Sequence, residues 1–399
     1  MSKKFVITCL INFLIAALMG LTLRYVFVSP IDINYRFLTH GHSHVAMLGW
    51  VYLMLYTLFI HHFVPDKKPI YNRLFWMTEL AVVGMMISFP IQGYAVISIS
   101  FSTLHIFCSY YFVYLIWRHH KTESLAIRYL LRASLLFMLL STIGVWCLGP
   151  AISILGQASA FYQIAIQFFL HFQFNGWFLI AVLALFFNQL KIQNHKSFKL
   201  FFRLLIASVI LTIAFPVSWF AENPALKWIN GFGIMLQLMA LVIFIKITKL
   251  PLSPLWQQSS KLTKYMYRFT LLCFVLKIGI QSTSLIPEIA DIAYQYKNFV
   301  IGFIHLTMLG VITGFLFSFL LQSGLVTHKS KGLIFGIFSF ILGFVLTELT
   351  LFIQGGLFYF GNGLTPNYYL SLLLSSLFLP LGISFIIYNV FKTKKRAVI

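Results

Sequence analysis

Negative charge is nearly missing from this chain. Eight carboxylates (Asp32, Asp66, Glu79, Glu123, Glu222, Glu288, Asp291 and Glu348) stand against 29 Lys and Arg in 399 residues. Charged residues make up 9% of the chain, whereas a soluble domain is about a quarter charged, so the composition excludes a soluble globular protein. Cysteine is also scarce. Cys9, Cys108, Cys147 and Cys273 each lie in an apolar run without CxxC spacing, which argues against a disulfide framework or a cysteine metal site. They read as buried small apolar side chains. Long polar stretches are absent as well, so no extramembrane domain is expected. The net charge of +21 invites a nucleic-acid partner, but the basic residues sit mostly in short loops between apolar runs. There they orient a protein in a bilayer, and no nucleic acid is expected.

What the chain does have is apolar length: 60% of residues are hydrophobic and 18% aromatic. Runs long enough to span can be read at 5–28, 42–64, 74–97, 99–118, 126–149, 156–188, 199–220, 225–248, 264–286, 298–322, 332–356 and 367–391. Lipid-facing backbone must be satisfied internally, and these runs are too long for barrel strands. The expected fold is therefore an all-α integral membrane protein, with residues 1–399 as a single polytopic domain. Met1-Ser2-Lys3-Lys4 precedes an apolar run of about 20 residues that lacks a small-x-small cleavage site, which predicts a first transmembrane helix and no signal peptide. The connection 249–263, with Pro251 and Pro254, reads as a loop.

Orientation follows from the loops. One alternating set carries Lys3/Lys4, Lys67/Lys68/Arg73, Arg118/Lys121/Arg128, Lys191/Lys196/Lys199, Lys246/Lys249/Lys261/Lys264, Lys329/Lys331 and Lys392/Lys394/Lys395/Arg396. The other holds Asp32, Arg36, Glu222, Lys227, Glu288, Asp291 and Lys297. The bias predicts cytoplasmic termini.

One stretch stands out: Thr39-His40-Gly41-His42-Ser43-His44-Val45-Ala46-Met47-Leu48-Gly49-Trp50 opens the second span with three histidines. His44 is followed five residues later by Gly49, and the unit returns as His171 to Gly176 and as His305 to Gly310. Gly is about 7% of an average protein, so three hits at one offset amount to a coincidence on the order of a few in a thousand. The three units fall on the second, sixth and tenth spans, which run in the same direction. That pattern predicts three four-helix pseudo-repeats arranged in a ring.

Neutral imidazole suits iron or copper inside a low-dielectric span. Two such rings on facing helices can clamp a porphyrin. A Gly five residues on would let the macrocycle, or a neighbouring helix, approach the backbone closely. The bland alternative is a small-residue packing groove beside a hydrogen-bonded His. His40 and His42 are supporting candidates, for a propionate or an outer metal site. His105 reads as a core hydrogen-bonded ring, and His61/His62, His119/His120, His195 and His328 as interfacial. Three charges fall well inside spans: Glu79, Lys277 and Glu348. Pairing between Lys277 and Glu348 is the simple expectation, and a proton path or a propionate contact the functional one. Arg24 and Arg36 are further propionate candidates.

These residues resemble the catalytic subunit of the haem-copper oxidase superfamily, cytochrome c oxidase subunit I-like. His171-Phe-Gln-Phe-Asn-Gly-Trp-Phe is most similar to its nitric oxide reductase branch. The resemblance implies that His44 and His305 hold a low-spin haem b, and that His171 is a ligand of a non-haem metal, copper or iron. It also shows departures. Phe303 stands where a further haem ligand is expected, the stretch from Lys199 to Phe220 holds no His pair, and Asn175 replaces a Glu. The binuclear centre of a terminal oxidase or nitric oxide reductase is thus incomplete, and whether the chain is an enzyme stays open.

The expectation is a b-type haem protein of the bacterial inner membrane. Its role would be electron transfer or diatomic gas or haem handling, with an electron-donor or cytochrome subunit as partner. Its cofactor-binding candidates are His44, His305, His42, Arg36 and Lys277, and its metal ligands His44, His305 and His171. The alternatives are a proton-coupled transporter or channel, a structural subunit, and a resemblance to haem-and-copper nitric-oxide-response proteins.

Overall fold

The computed structural model describes residues 1–393, so Lys394, Lys395 and Arg396 of the basic tail lie outside the described residues. Among the described residues the chain is helical, with no strand, as expected when apolar backbone must satisfy itself along its own axis. Twelve long helices succeed one another: α1 (Lys3–Tyr25), α2 (Tyr35–Phe63), α3 (Pro69–Gln92), α4 (Val96–His119), α5 (Leu125–Ile154), α6 (Ala160–Gln189), α7 (Lys196–Ser218), α8 (Pro224–Lys249), α9 (Lys261–Ser282), α10 (Lys297–Gln322), α11 (Lys331–Tyr359) and α12 (Tyr368–Lys392). Eleven of these are long and apolar enough, taken alone, to cross a membrane. The exception is α9, which carries Lys261, Lys264, Arg268 and Lys277. It passes only together with the short helix Pro287–Gln295, from which it is bent by 109°. The chain is a multi-pass membrane protein.

Two boundaries differ from the sequence expectation. α2 starts at Tyr35, a full two turns before the apolar run, because Asn34 caps it: its side chain accepts a hydrogen bond from the Phe37 N–H at 3.1 Å. The connection 249–263 is not all loop, since it contains the helix Leu252–Gln258, preceded by Pro251.

Three helices share one irregularity. α2 is α-helical over Tyr35–His44, π-helical over Val45–Tyr52 and α-helical again over Leu53–Phe63. α6 repeats the pattern with π-helical Phe172–Phe178 after His171, and α10 with π-helical Leu306–Thr313 after His305. Each motif histidine is thus the last residue of an α segment, and each motif glycine lies in the π turn. Such wide turns are uncommon and gather at functional positions. The same three helices are the most enclosed of the eleven, with 83%, 72% and 61% of their apolar windows buried against 33–50% for the rest. Aromatic side chains all round α2 and α6 explain this, since a helix apolar on every face must be packed on every face. Trp50, Tyr52, Tyr56, Phe59, Trp177 and Phe186 are all essentially inaccessible.

The helices fall into two compact units. The first comprises Met1–Lys121, Ser260–Tyr267 and Leu316–Ile399, and the second Thr122–Ser259 and Arg268–Phe315. In the first, the α1 ring Phe13 stacks on Trp50 of the π turn at 4.6 Å between centroids. α11 and α12 pack backbone to backbone, because a Cβ on Gly382 would lie 2.6 Å from the Gly336 carbonyl oxygen. In the second, Phe186, Phe187, Phe201 and Phe244 form an aromatic core, and α7 breaks at Thr212–Ile213. Pro216, which cannot donate a helical hydrogen bond and crowds the carbonyl four residues before it, accounts for the break.

Candidate functional site

Each motif histidine is described within its own unit. In the first unit the capped start of α2 makes the helix continuous through Tyr35–His44, so His40 and His44 share a face. Both rings meet the same aromatic wall. His44 lies 4.2 Å from Phe89 and 6.0 Å from Tyr94, and His40 lies 4.7 Å from Tyr94 and 6.2 Å from Phe89. His44 Nδ1 donates to the His40 carbonyl oxygen at 2.9 Å. A carbonyl can only accept, so Nδ1 bears the proton and Nε2 of the neutral ring keeps its lone pair. His42 points elsewhere, toward α1. Its Nδ1 donates to the Ala16 carbonyl at 2.8 Å, and its ring fills the space where a Cβ on Gly20 would sit, 2.9 Å from Cε1. The three crowded histidines are therefore split, two facing Phe89 and Tyr94 and one facing α1. Arg36 is exposed one turn before His40, close enough for its charge to reach that ring.

Beneath His44, Asn12 of α1 bridges two groups that would otherwise be costly. Its Nδ2 donates to the Gly49 carbonyl in the π turn at 3.1 Å and to Glu79 Oε2 at 2.8 Å. Gly49 itself is needed for packing, since a Cβ there would lie 2.8 Å from Val82 Cγ1 and 3.0 Å from Asn12 Cβ. Gly176 is filled in the same way by Phe137, 2.7 Å from a notional Cβ. At both positions it is a neighbouring side chain, of the two options the sequence offered, that uses the glycine. His105 is buried at 3% exposure, with Nδ1 3.3 Å from Ser109 Oγ and its ring edge-on to Tyr52 at 4.7 Å, in keeping with a core histidine.

In the second unit His171 is buried and presents the opposite nitrogen: Nε2 donates to the Val209 carbonyl at 2.7 Å, in the last full turn before the α7 break. Nδ1 is thus the lone-pair nitrogen of the neutral ring. Asn175, one turn on, donates to the His171 carbonyl at 3.4 Å and accepts from Lys277 Nζ at 2.7 Å. Lys277, fully buried, also donates to Gln281 Oε1 at 2.7 Å, and its Nζ stands 5.7 Å from the centre of the Phe303 ring. Glu348 was the partner the sequence suggested for Lys277. The amine's hydrogen bonds go to amide oxygens, and the charged neighbour of Glu348 is Arg24, which also reaches the Leu372 carbonyl at 3.4 Å. His305 is half-buried at the α-to-π junction of α10.

The remaining histidines sit at helix ends. His119 Nδ1 is 3.0 Å from the Tyr71 hydroxyl, His195 accepts from the Phe198 N–H at 3.2 Å to cap α7, and His328 is 3.3 Å from Ser260 Oγ. Burial lowers the affinity of His328, which lies outside the spans, for a proton. Cys9, Cys108 and Cys273 are buried and Cys147 half-buried, none in a disulfide, as their apolar surroundings suggested. Among the described residues no three His, Cys, Asp or Glu side chains converge as a metal site. His171 thus has no companion set for a copper or non-haem iron centre, whereas axial ligation needs only single imidazoles. Sequence reasoning missed Asn12, Gln237, Gln281 and the aromatic wall of Phe89 and Tyr94. No protein-family model matches the chain, and no curated protein is significantly similar to it.

Proposed function

We propose that this is a b-type haem protein of the bacterial inner membrane, with cytoplasmic termini and an electron-transfer role. His44 is its first axial ligand and His305 its second. The observation that carries the reading is the Nδ1–H bond from His44 to the His40 carbonyl, which fixes the ring and leaves Nε2 as an oriented lone pair beside an aromatic wall. Repetition of the α–π–α interruption at His305 supports its role. It is also in keeping with three four-helix pseudo-repeats of cytochrome c oxidase subunit I-like kind. A bound haem would supply one-electron chemistry, and two imidazole ligands favour electron transfer over gas binding. Arg36, exposed near His40, is the propionate partner we favour. Nitric oxide or oxygen reduction is not part of this reading, because His171 donates Nε2–H to a backbone carbonyl and Phe303 sits against Lys277.

The test is a visible spectrum of the purified, dithionite-reduced protein, with iron content. A b-type α band that disappears in His44→Ala and in His305→Ala supports the proposal. A folded, colourless, iron-free protein overturns it and favours the second reading, a proton-coupled transporter or channel, for which the buried Lys277 speaks.

A further inference from the structure

The second unit contains a line of polar side chains with no part in haem ligation. On α9 and the turn that ends it, Lys277, Gln281 and Ser284 are spaced i, i+4, i+7 and so share one face, over about 10 Å of helix. On α8, Asn230 and Gln237 are seven residues apart, also on one face. The two faces meet: Asn230 Nδ2 donates to Ser284 Oγ at 3.0 Å, and Gln237 Nε2 donates to Gln281 Oε1 at 3.3 Å. Gln281 Oε1 in turn accepts from Lys277, whose other bond reaches Asn175 on the π turn of α6. The line thus runs from the membrane face where Ser284 lies, through two amides, to a fully buried amine.

Two atoms in this line are unsatisfied. Asn230 Oδ1 and Gln237 Oε1 are buried and have no hydrogen-bond partner among the described residues, and their side chains are 3% and 6% exposed. Buried acceptors in natural proteins are almost always paired, with ordered water filling the gaps. Two such oxygens, on the same face and leading to an amine, mark where that water sits. The groups around Lys277 are Gln281 on its own helix, Gln237 along α8, Asn175 and His171 on α6 and Phe303 on α10. Of these only His171 titrates, and its Nε2–H is committed to the Val209 carbonyl. Amides do not take up protons under ordinary conditions, so the amine is the group at the end of the line that can.

We propose that this ladder is an aqueous half-path delivering protons to Lys277 from the membrane face at which Ser284 lies. A hydronium at the mouth passes its proton along waters held by Ser284, Asn230, Gln237 and Gln281. The lone pair of the neutral Lys277 amine forms the new N–H bond as a water is released, and the reverse step returns the proton. The path does not depend on haem, so it stands or falls separately from the reading above.

The natural depth marker is Cys273, buried one turn beyond Lys277 on the same face of α9. In full-length protein with Cys9, Cys108 and Cys147 replaced, Gln281→Cys and Lys277→Cys should react with methanethiosulfonate-ethylammonium, while Cys273 should not. Adding Gln237→Leu should slow modification at position 277 by about tenfold, by removing a water-holding acceptor. In the native-cysteine protein, a stopped-flow jump from alkaline to neutral pH should show about one more proton taken up by wild type than by Lys277→Met. Position 277 as inert as Cys273, an unchanged rate with Gln237→Leu, or equal proton uptake in a monodisperse Lys277→Met protein would each overturn the proposal.

Discussion

His44 and His171 begin the same motif, close the same kind of α segment and precede the same kind of π turn, yet they offer opposite ring nitrogens. His44 gives its Nδ1–H to a carbonyl of its own helix one turn back, and Nε2 looks toward Phe89 and Tyr94. His171 gives its Nε2–H to Val209 of a neighbouring helix, and Asn175 beside it is tied to a buried lysine. The repeat therefore preserves backbone geometry and not chemistry. A distal nitrogen pointing away from the helix axis can reach a large planar ligand, whereas a ring pinned by that same nitrogen acts as a strut between helices.

The largest test of that contrast is haem retention. His44→Ala should reduce the haem-to-protein ratio by more than about tenfold, while His171→Ala should leave it intact, as judged by pyridine haemochrome assay. If His171→Ala strips the haem equally, the opposed nitrogens have no functional meaning. His171→Ala should still cost about 1–3 kcal/mol in unfolding, since it leaves the Val209 carbonyl buried without its donor.

The next test concerns how each π turn is supported. In the first unit Asn12→Leu removes the donor to both Gly49 and Glu79, a loss of about 3 kcal/mol because one acceptor is a buried carboxyl. In the second unit Asn175→Leu removes the acceptor for Lys277 and the donor to His171, with a similar loss of about 3 kcal/mol. Thermal unfolding in nanodiscs reads both. A neutral Asn12→Leu would mean that the π turn of α2 needs no side-chain partner.

Smaller effects should be shared by the two units. Gly49→Ala and Gly176→Ala each force a methyl into space held by Val82 or Phe137, and should each lower stability by about 1–3 kcal/mol. A large asymmetry in Tm would show that one of the glycines serves a ligand as well as packing. The smallest effect lies outside the spans. Burial disfavours protonated His328 in the folded state, so the unfolded chain binds the proton more readily. The associated stability is present above the ordinary value of 6.5 and is lost as pH falls below it. His328 is partly solvent-exposed, so the loss should be about 0.5 kcal/mol or less after screening. It should vanish in His328→Gln, in Tm measured at about pH 7.5 and about pH 5.5.

Much of the fold was legible in the chain because hydropathy reports spans directly: eleven of twelve expected helices pass by length and apolarity, and the twelfth, α9, is the one loaded with Lys and Arg. The start of α2 was hidden because Tyr35–His40 is polar, although Asn34 was a capping signal in plain view. Helix Leu252–Gln258 was hidden by its prolines. The histidine motif marked where the helices widen but not that they do, since nothing in local propensity distinguishes a π turn from an α turn. The neutral partners were missed because attention to intramembrane charge seeks opposite charge. Lys277 is met by amides, and Asn230, Gln237 and Gln281 could have been found by their seven- and four-residue spacing against neighbouring apolar residues.

The π turns carry a consequence for how the spans are phased. Each α-helical residue advances the helix by about 100°. A turn closed by i to i+5 bonds holds one residue more than its α counterpart. Deleting one residue from Val45–Tyr52 would let α2 relax to regular winding, swinging Tyr56 and Phe59 by about 100° relative to His44. The upper and lower halves of α2, α6 and α10 are thus indexed against each other by residue count, like two dials on one shaft. In these three spans an insertion or deletion changes which neighbours every downstream side chain meets, an effect no single substitution can reproduce.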